Sequence, residues 1–262
     1  MIPLASITDW SNKSPWGNLH FVEQDLLLCR ILIELFNDEI LAKKLAFRGG
    51  TAIHKLYLSP QPRYSEDIDI IQINAEPIGI IFDRCKEIFS YFNNISIKQT
   101  RRSNTILLQF ITEALPQVKQ RIKIEINCRE HLNIKGLVKL PFDIHTSWFT
   151  GSCNIITYSI EELIGTKIRA LYQRKKGRDL FDIYYALITK KIDIDSTMFC
   201  YKKYMEFSNG EIPSAELYLE NLLGKINDPL FISDIKPLLR PGIKYDNLEA
   251  FELFKSKIID IM

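Results

Sequence analysis

The sequence predicts an α/β domain over residues 1–157, followed by a helical domain over residues 158–262. In the first half, helical patterns alternate with short segments whose apolar residues recur at every second position, as they do in strands. From Ser159 onward the pattern is mainly helical and is broken at glycines and prolines. A chain of 262 residues is long enough for one large domain or two modest ones.

Composition places the chain among ordinary globular proteins. It is 46% hydrophobic and 25% charged, and its formal net charge of +2 means that any nucleic-acid surface must be a local basic patch. No apolar stretch approaches the roughly 20 residues of a membrane helix, and the N-terminus lacks the pattern of a signal peptide. We therefore expect no membrane partner. Five cysteines without CxxC spacing and four scattered histidines predict a reduced, cytoplasmic protein without a zinc site.

The elements of the first domain follow from their periodicity. Residues 22–44 have helical periodicity, and residues 52–57 and 78–92 show helical patterns again. The strand-like segments are LAF (45–47), SEDIDIIQI (65–73), SIKQT (96–100), TILLQFIT (105–112) and RIKIEIN (121–127).

Two carboxylates stand two positions apart in one of these strands. Asp67 and Asp69 point to the same face, while Ile68 and Ile70 point the other way into a core. Neighbouring carboxylates repel each other unless a cation sits between them, and magnesium suits a few carboxylate oxygens plus substrate phosphates. Taken alone, the pair is explained more simply by a half-exposed strand with a solvated acidic face.

A second strand strengthens the metal hypothesis. Residues 121–127 alternate in the same way, with isoleucines on one face and Lys123 and Glu125 on the other. If this strand pairs with the first, Glu125 joins Asp67 and Asp69. Three carboxylates on one sheet face would hold two metal ions for phosphoryl or nucleotidyl transfer. Glu125 alone is a weak signal, because such strands are common on solvated sheet faces.

A double-glycine turn precedes the acidic strand. Arg48-Gly49-Gly50-Thr51 lies between the short strand LAF and a helical segment. Glycines allow the backbone to approach a ligand closely, and the free amides at the start of a helix attract phosphate. Thr51 is expected to be an N-cap or a phosphate contact. The turn is a weak signal by itself and a more specific one when a DxD strand follows it.

Two charges occupy inward-facing positions of helices predicted within residues 159–187. Ser159 and Glu162 form a capping-box pattern, so a helix is expected to begin there. Lys167 falls on the apolar stripe of this helix, and Asp179 falls on that of the next. Desolvating a lysine is costly unless an anion is nearby. Either the two form a structural salt bridge, or Lys167 contacts nucleotide phosphates and Asp179 positions it, and both can hold at once.

The chain has two local basic clusters. The first consists of Arg174, Lys175, Lys176 and Arg178. A solvated loop is the usual explanation, and binding of a polyanionic substrate or a triphosphate is the alternative. Arg101 and Arg102 form a second, weaker cluster.

Together these segments resemble the AbiEii/AbiGii-type nucleotidyltransferase toxins, a branch of the DNA polymerase β-like superfamily. The matching segments appear in the family's order over about residues 45–190. They are FRGGTAIHKLY, RYSEDIDI, KIEIN and SIEELIGTKIRALYQRKKGRDLFDIYYAL. The stretch YLSPQPR makes the gap between GGT and DxD longer than the family pattern, which affects only the loop before Asp67.

The resemblance implies a nucleotidyltransferase core with a mixed β-sheet flanked by helices, followed by a helical domain. It implies that Asp67 and Asp69 bind magnesium, two ions in all, and the incoming nucleoside triphosphate. Glu125 would bind metal and help deprotonate the acceptor hydroxyl. Lys167 and Asp179 match the family's later Lys and Asp motif and are assigned to catalysis. The residues assigned to nucleotide binding are Arg48, Gly49, Gly50, Thr51, Ser65 and Lys167.

The resemblance also implies the toxin of a toxin–antitoxin pair of the phage-defence type, with a cognate antitoxin as partner. The expected reaction transfers a nucleoside monophosphate to a hydroxyl of RNA, with the 3′ end of tRNA as a candidate acceptor. The basic cluster after Lys167 favours RNA slightly. A small-molecule nucleotidyltransferase and a non-catalytic nucleotide-binding module are the alternatives.

Overall fold

The computed structural model describes residues 2–92, 94–100 and 103–262, and for Asn209 the backbone alone. The predicted basic pair Arg101 and Arg102 lies outside the described residues. Two compact units make up the chain. The first comprises Met1–Asn133 and Leu137–Tyr158, and the second comprises Ile134–Gly136 and Ser159–Met262.

The first unit combines helices with a single sheet. Its helices are α1 (Leu4–Lys13), α2 (Leu19–Asn37), α3 (Glu39–Lys44), α4 (Gly49–Ala52), which continues as a π-helical turn (Ile53–Tyr57), and α5 (Gly79–Ile88). Its strands are β1 (Leu45–Arg48), β2 (Asp67–Gln72), β3 (Asn94–Gln99), β4 (Asn104–Ile111), β5 (Lys119–Asn127), β6 (Leu137–His145) and β7 (Thr150–Tyr158). The sequence had predicted neither α1 nor the last two strands.

The described strands form a sheet in the order β3-β4-β5-β2-β1-β7-β6. The pairs β2–β5 and β1–β7 are parallel and the others are antiparallel. The mixed sheet expected of a nucleotidyltransferase core is therefore confirmed. The two acidic segments lie at its centre, because β2 pairs with β1 on one side and with β5 on the other.

Isoleucines build the buried face of the central strands. Ile68 and Ile70 of β2 are buried, as are Ile122, Ile124 and Ile126 of β5. Because side chains alternate along a strand, this burial leaves the intervening polar residues on the opposite face. Transfer of these side chains out of water stabilises the sheet by roughly 1.5–3 kcal/mol for each fully buried residue.

The predicted helix over residues 22–44 is wrong as a single helix. Asp38 separates α2 from α3, because its side chain accepts hydrogen bonds from the backbone of Ile40 and Leu41 at 3.1 and 2.8 Å. Asp38 therefore acts as the N-cap of a new helix. Asn18 does the same for α2, by accepting from the Phe21 amide at 2.9 Å.

The second unit is helical throughout its regular structure. It contains α6 (Ile160–Gln173), α7 (Gly177–Thr189), α8 (Ile194–Asn209), α9 (Ala215–Ile226), α10 (Pro229–Ser233) and α11 (Asn247–Lys257), with short 3-10 turns after α10 and α11. Across the part of the chain that the structure describes, we find no helix with both the length and the apolar character that crossing a membrane requires.

Half of the predicted capping box is present at the start of α6. The Ser159 hydroxyl accepts a hydrogen bond from the Glu162 amide at 3.3 Å, so the helix begins where predicted. The Glu162 carboxylate, however, accepts from the amides of Ile134 and Lys135 and from the Tyr204 hydroxyl, at 2.7 to 3.0 Å. These bonds attach residues 134–136 to the second unit.

Two glycines allow the helices of the second unit to pack closely. A Cβ at Gly165 would lie 3.0 Å from the Thr197 carbonyl oxygen, so a side chain at this position would force α6 and α8 apart by a few tenths of an ångström. A Cβ at Gly177 would overlap the carbonyl oxygen of Phe231 in α10. Gly177 is one of the glycines predicted to break the helical pattern, and it is therefore also a packing contact at the start of α7.

Candidate active site

The strand register brings the three predicted carboxylates together. In the parallel pair β2–β5, Asp69 is the partner of Glu125, and Asp67 is the partner of Lys123. Partners in neighbouring strands point to the same face, and Asp67 and Asp69 share a face because they are two residues apart. We call this surface, made of Asp67, Asp69 and Glu125, the carboxylate face. The side chains of Asp67 and Glu125 are 39% and 38% exposed, so solvent reaches it.

Lys123 supplies a positive charge within the carboxylate face. Its Nζ lies 2.6 Å from Glu125 Oε2 and 3.9 Å from Asp67 Oδ2. Burial lowers the pKa of Lys123, but the hydrogen bond to Glu125 and the charges of the acidic residues outweigh burial, and the pKa is raised. The sequence had placed Lys123 on the polar face without a role. Its pairing with Asp67 was the missing information.

The carboxylate face is not a closed metal cage. Among the described residues, no three His, Cys, Asp or Glu side chains are arranged as a ready group of metal ligands. The three carboxylates nevertheless outnumber Lys123, the cation that touches two of them. The face therefore presents carboxylate oxygens, which are the donor type that magnesium prefers.

The double-glycine turn packs directly against Asp69. β1 ends at Arg48, which pairs with Asp69, and the chain then turns at Gly49 with φ of 77°. A Cβ at Gly49 would overlap Asp69 Oδ2 and lie 2.9 Å from the Cβ of Asp69. Gly49 is required for two reasons, because the left-handed backbone favours glycine and because the Asp69 carboxylate occupies the space of a side chain.

Thr51 has a different role from the predicted N-cap. Helix α4 begins at Gly49, so Thr51 lies inside the helix, and the cap prediction is wrong. Its hydroxyl donates to the backbone oxygen of Asp67 at 2.5 Å and lies 2.7 Å from the Ser65 hydroxyl. Thr51 is 1% exposed. It thus fixes the start of β2 relative to the glycine turn, and contacts of Thr51 and Ser65 with nucleotide stay predictions.

Arg48 forms an ion pair that the sequence did not reveal. Its Nη1 lies 2.9 Å from Glu130 Oε2, and both side chains are 15% exposed. Asn127 helps to form the turn that presents Glu130, because its side-chain oxygen accepts from the amides of Arg129 and Glu130 at 2.9 and 3.1 Å. Glu130 follows β5 in a loop, where no periodicity marks it.

Lys167 and Asp179 meet as predicted, inside the second unit. Lys167 Nζ lies 2.8 Å from Asp179 Oδ1 and 2.7 Å from Asp182 Oδ2. Arg174 donates to both oxygens of Asp179, at 2.6 and 2.8 Å. Both aspartates are fully buried. We call these four residues the buried ion cluster. Asp182 was missed, although its position three residues after Asp179 puts it on a neighbouring part of the same helix surface.

The buried ion cluster keeps Asp179 ionised. Burial by itself would raise the pKa of Asp179, but the charge of Lys167 and the hydrogen bonds from Arg174 outweigh burial and lower the pKa below its usual value. This is the arrangement that a structural salt bridge between α6 and α7 requires. The structural half of the two alternatives for Lys167 and Asp179 therefore has direct geometric support.

Carboxylates neutralise most of the basic cluster. Lys175 forms an ion pair with Asp228, and Lys176 and Arg178 lie 3.5 and 3.8 Å from carboxylate oxygens of Asp234. Arg174 belongs to the buried ion cluster. The preference for RNA that rested on these four charges is therefore weakened, since each of them has an acidic partner.

Comparisons with known proteins agree with this fold. A family model described as nucleotidyl transferase AbiEii toxin, type IV TA system, matches residues 30–255. A comparison with curated protein sequences finds no significant match. The structure is similar to MenT4, a nucleotidyltransferase toxin from Mycobacterium tuberculosis H37Rv, with a TM-score of 0.66, 16% identity, and coverage of 99% of this chain and 89% of that one.

Two further solved structures, both from Helicobacter pylori, are similar. JHP933 gives a TM-score of 0.53 at 18% identity and covers 89% of this chain and 88% of its own. A putative nucleotidyltransferase gives 0.51 at 17% identity and covers 93% and 98%. At these identities the likeness shows the fold.

The family model defines a nucleotidyltransferase, and the solved structures agree with its fold. Because the family model spans most of the chain, the protein belongs to the AbiEii family of nucleotidyltransferase toxins. The predicted family and enzyme class are confirmed, and the type IV toxin–antitoxin assignment implies a nucleoside triphosphate substrate and an antitoxin. The catalytic, metal-binding and nucleotide-binding roles of individual residues stay predictions.

Proposed function

We propose that this toxin is a magnesium-dependent enzyme that transfers a nucleoside monophosphate to a hydroxyl of RNA, with the carboxylate face as its catalytic centre. The register of β2 and β5 carries the proposal, because Asp69 lies beside Glu125 with Asp67 on the same face. The close contact between Gly49 and Asp69 supports it further, since it brings a phosphate-binding type of turn next to a carboxylate.

Magnesium fits the chemistry of the carboxylate face. Its three carboxylates supply oxygen donors, and the position of the Lys123 ammonium indicates that a cation is stabilised there. Asp67, Asp69 and Glu125 would hold two ions. When bound, such ions lower the pKa of the acceptor hydroxyl and stabilise the leaving phosphates.

The protein groups orient the reactants. The amides of Gly49 and Gly50 at the start of α4 bind the triphosphate, and the missing side chain of Gly49 leaves room for the Asp69 carboxylate beside it. The acceptor oxygen attacks the α-phosphorus in line, its proton passes to Glu125, and pyrophosphate leaves. One phosphorus–oxygen bond forms as another breaks, so the rate depends on how well the groups are positioned.

Lys167 and Asp179 have a secondary role in the proposed function. Lys167 already contacts two buried carboxylates, Asp179 and Asp182, which supports a role in stability first. A contact between Lys167 and nucleotide phosphates remains a prediction. A variant that keeps its stability but uses nucleotide poorly would support that contact.

RNA is the proposed acceptor because of the family resemblance, with the 3′ end of tRNA as the first candidate. A small-molecule acceptor is the second candidate. The ion pairs of the basic cluster keep this alternative open, because they offset part of the local positive charge on which the preference for RNA rested.

The proposed partner is a cognate antitoxin, in keeping with the type IV toxin–antitoxin family. We also propose that the toxin acts in the cytoplasm, where nucleoside triphosphates and RNA are available. Its five free cysteines agree with a reducing compartment. Toxicity would then depend on transfer, so Asp69→Ala should abolish growth inhibition in cells while the protein remains folded.

Labelling distinguishes the two acceptors. The protein is incubated with each of the four nucleoside triphosphates, labelled at the α-phosphate, with total tRNA or with a small-metabolite extract. We expect label on RNA for the natural sequence and none for Asp69→Asn. Label on a small molecule alone would replace RNA as the acceptor. Label in neither case, together with no magnesium or nucleotide binding by calorimetry, would reject magnesium-dependent transfer at the carboxylate face.

A further inference from the structure

The ammonium group of Lys123 lies within the carboxylate face. Lys123 extends from β5, and its Nζ lies 2.6 Å from Glu125 Oε2 and 3.9 Å from Asp67 Oδ2. Carboxylates at neighbouring strand positions repel each other, and an ammonium between two of them relieves that repulsion. Lys123 therefore occupies the region to which the proposed function assigns metal ions.

The geometry also allows the Lys123 ammonium to move away from the carboxylate face. Its side chain is 34% exposed, and those of its two partners are similarly open to solvent. A lysine carries its charge on a flexible four-carbon stem, and an ion pair with this exposure contributes little to stability. Turning the ammonium out into water would break two contacts without leaving a buried charge unpaired.

We propose that Lys123 is a built-in counter-cation, which occupies the carboxylate face in the resting protein and competes with divalent ions for it. This inference rests on the proposed function, because it concerns regulation of the same site. Lys123 sets the metal concentration that the toxin needs, and it holds Asp67 and Glu125 in place when metal is scarce.

Competition follows from the charges. An ammonium and a divalent ion a few ångströms apart repel each other, so both cannot occupy the space between Asp67 and Glu125. The coupling is reciprocal. If Lys123 weakens metal binding, then metal binding weakens the contacts of Lys123 by the same factor. Removing the ammonium should strengthen metal binding.

Metal titration of the full-length protein without nucleotide tests this inference. Lys123→Met keeps the length of the side chain and removes the charge, while Lys123→Arg keeps the charge. We expect the Kd for Mn²⁺, measured by calorimetry, to fall on the order of tenfold for Lys123→Met, within the usual range of such couplings. Lys123→Arg should stay close to the natural protein.

A matched control is available on the same strand. Lys119 lies four residues before Lys123, on the same face of β5 but about 13 Å along the strand. Lys119→Met removes one positive charge at that distance, so it should leave the Kd nearly unchanged. An equal gain in affinity for Lys119→Met would show that only net charge matters and would overturn the specific role of Lys123.

Thermal unfolding gives a second readout that needs no activity. Without metal, Lys123→Met should unfold at a lower temperature, because its carboxylates repel without a cation. Added Mg²⁺ should then raise its midpoint more than that of the natural protein. One outcome would overturn the inference alone: the natural protein binds metal in a way that depends on Asp69, but Lys123→Met binds it no more tightly than the natural protein. Absence of Asp69-dependent binding in both proteins would overturn the inference and the proposed function together.

Discussion

The carboxylate face and the buried ion cluster are built from the same kinds of side chain and differ in charge balance and in access to water. On the carboxylate face, Lys123 contacts two of the three carboxylates, and the side chains of these two, Asp67 and Glu125, are more than a third exposed. In the buried ion cluster, Lys167 and Arg174 balance Asp179 and Asp182, and both aspartates are fully buried.

This difference indicates that the carboxylate face can exchange cations with solvent, whereas the buried ion cluster is a structural contact. A buried, balanced group has no need of an external ion, and removing one member leaves an uncompensated charge in the interior. An exposed face that carries several carboxylates attracts cations from solution and can release them. Changes at the two sites should therefore differ in size and in kind.

Lys167→Met should be the most destabilising change. It leaves Asp179 and Asp182 buried without Lys167, and we expect a loss of about 3–5 kcal/mol in the free energy of unfolding, measured with urea. The matched variant Lys123→Met should lose less than about 1 kcal/mol, because its pair is exposed. Equal losses would abolish the contrast. Normal stability with a raised KM for nucleotide would make Lys167 a nucleotide contact.

Asp69→Asn should act on chemistry and leave the fold intact. The amide is nearly isosteric, but it removes a charge from the carboxylate face. We expect nucleotide transfer to fall at least about 100-fold, the size of effect seen when one electrostatic group is removed from an active site. Asp143→Asn on β6, whose side chain is 59% exposed, is the control and should transfer normally. Comparable activity in both variants would exclude Asp69 from catalysis.

Gly49→Ala should lower both the stability of the protein and nucleotide transfer at the carboxylate face. A Cβ would overlap Asp69 Oδ2, and φ of 77° is unfavourable for alanine, so we expect a loss of about 1–3 kcal/mol in stability. Transfer should fall as well, because Asp69 must move. Gly136→Ala, which has φ of 82° and open space around it, is the matched control. It should show the backbone cost without the loss of transfer.

Acid should weaken the buried ion cluster through Asp179. Because the pKa of Asp179 is lowered in the folded state, its stabilising effect is complete above the unfolded pKa near 4 and is lost as the pH falls below that value. Urea unfolding should show a steeper loss below about pH 4 for the natural protein than for Asp179→Asn, by at most about 1.4 kcal/mol per pH unit. Parallel slopes would mean that Asp179 is not held ionised.

The sequence predicted the acidic strands well because alternation is a local property. Burial of Ile68 and Ile124 leaves Asp67, Asp69 and Glu125 on the opposite face, as expected. The sequence did not show that β5 pairs with β2, so this pairing was only assumed. Pairing between segments more than 50 residues apart leaves no periodic signal in either segment, so the role of Lys123 could not be seen.

Other elements were hidden for physical reasons. In β6, apolar residues do alternate with polar ones or proline from Val138 to Ile144, but Pro141 argues against a strand, so this signal was overlooked. The division of residues 22–44 into two helices depended on the Asp38 cap, which competes with a continuous apolar pattern. The partners of the basic cluster, Asp228 and Asp234, lie more than 50 residues away in the chain.

Divalent-ion binding shows whether β2 and β5 form a cation site. Full-length protein is titrated with Mn²⁺ by calorimetry, together with Asp69→Asn and Asp143→Asn, all folded by circular dichroism. We expect saturable binding that Asp69→Asn loses and Asp143→Asn retains. Equal binding by all three proteins, or none by the natural protein, would contradict a cation site made by β2 and β5.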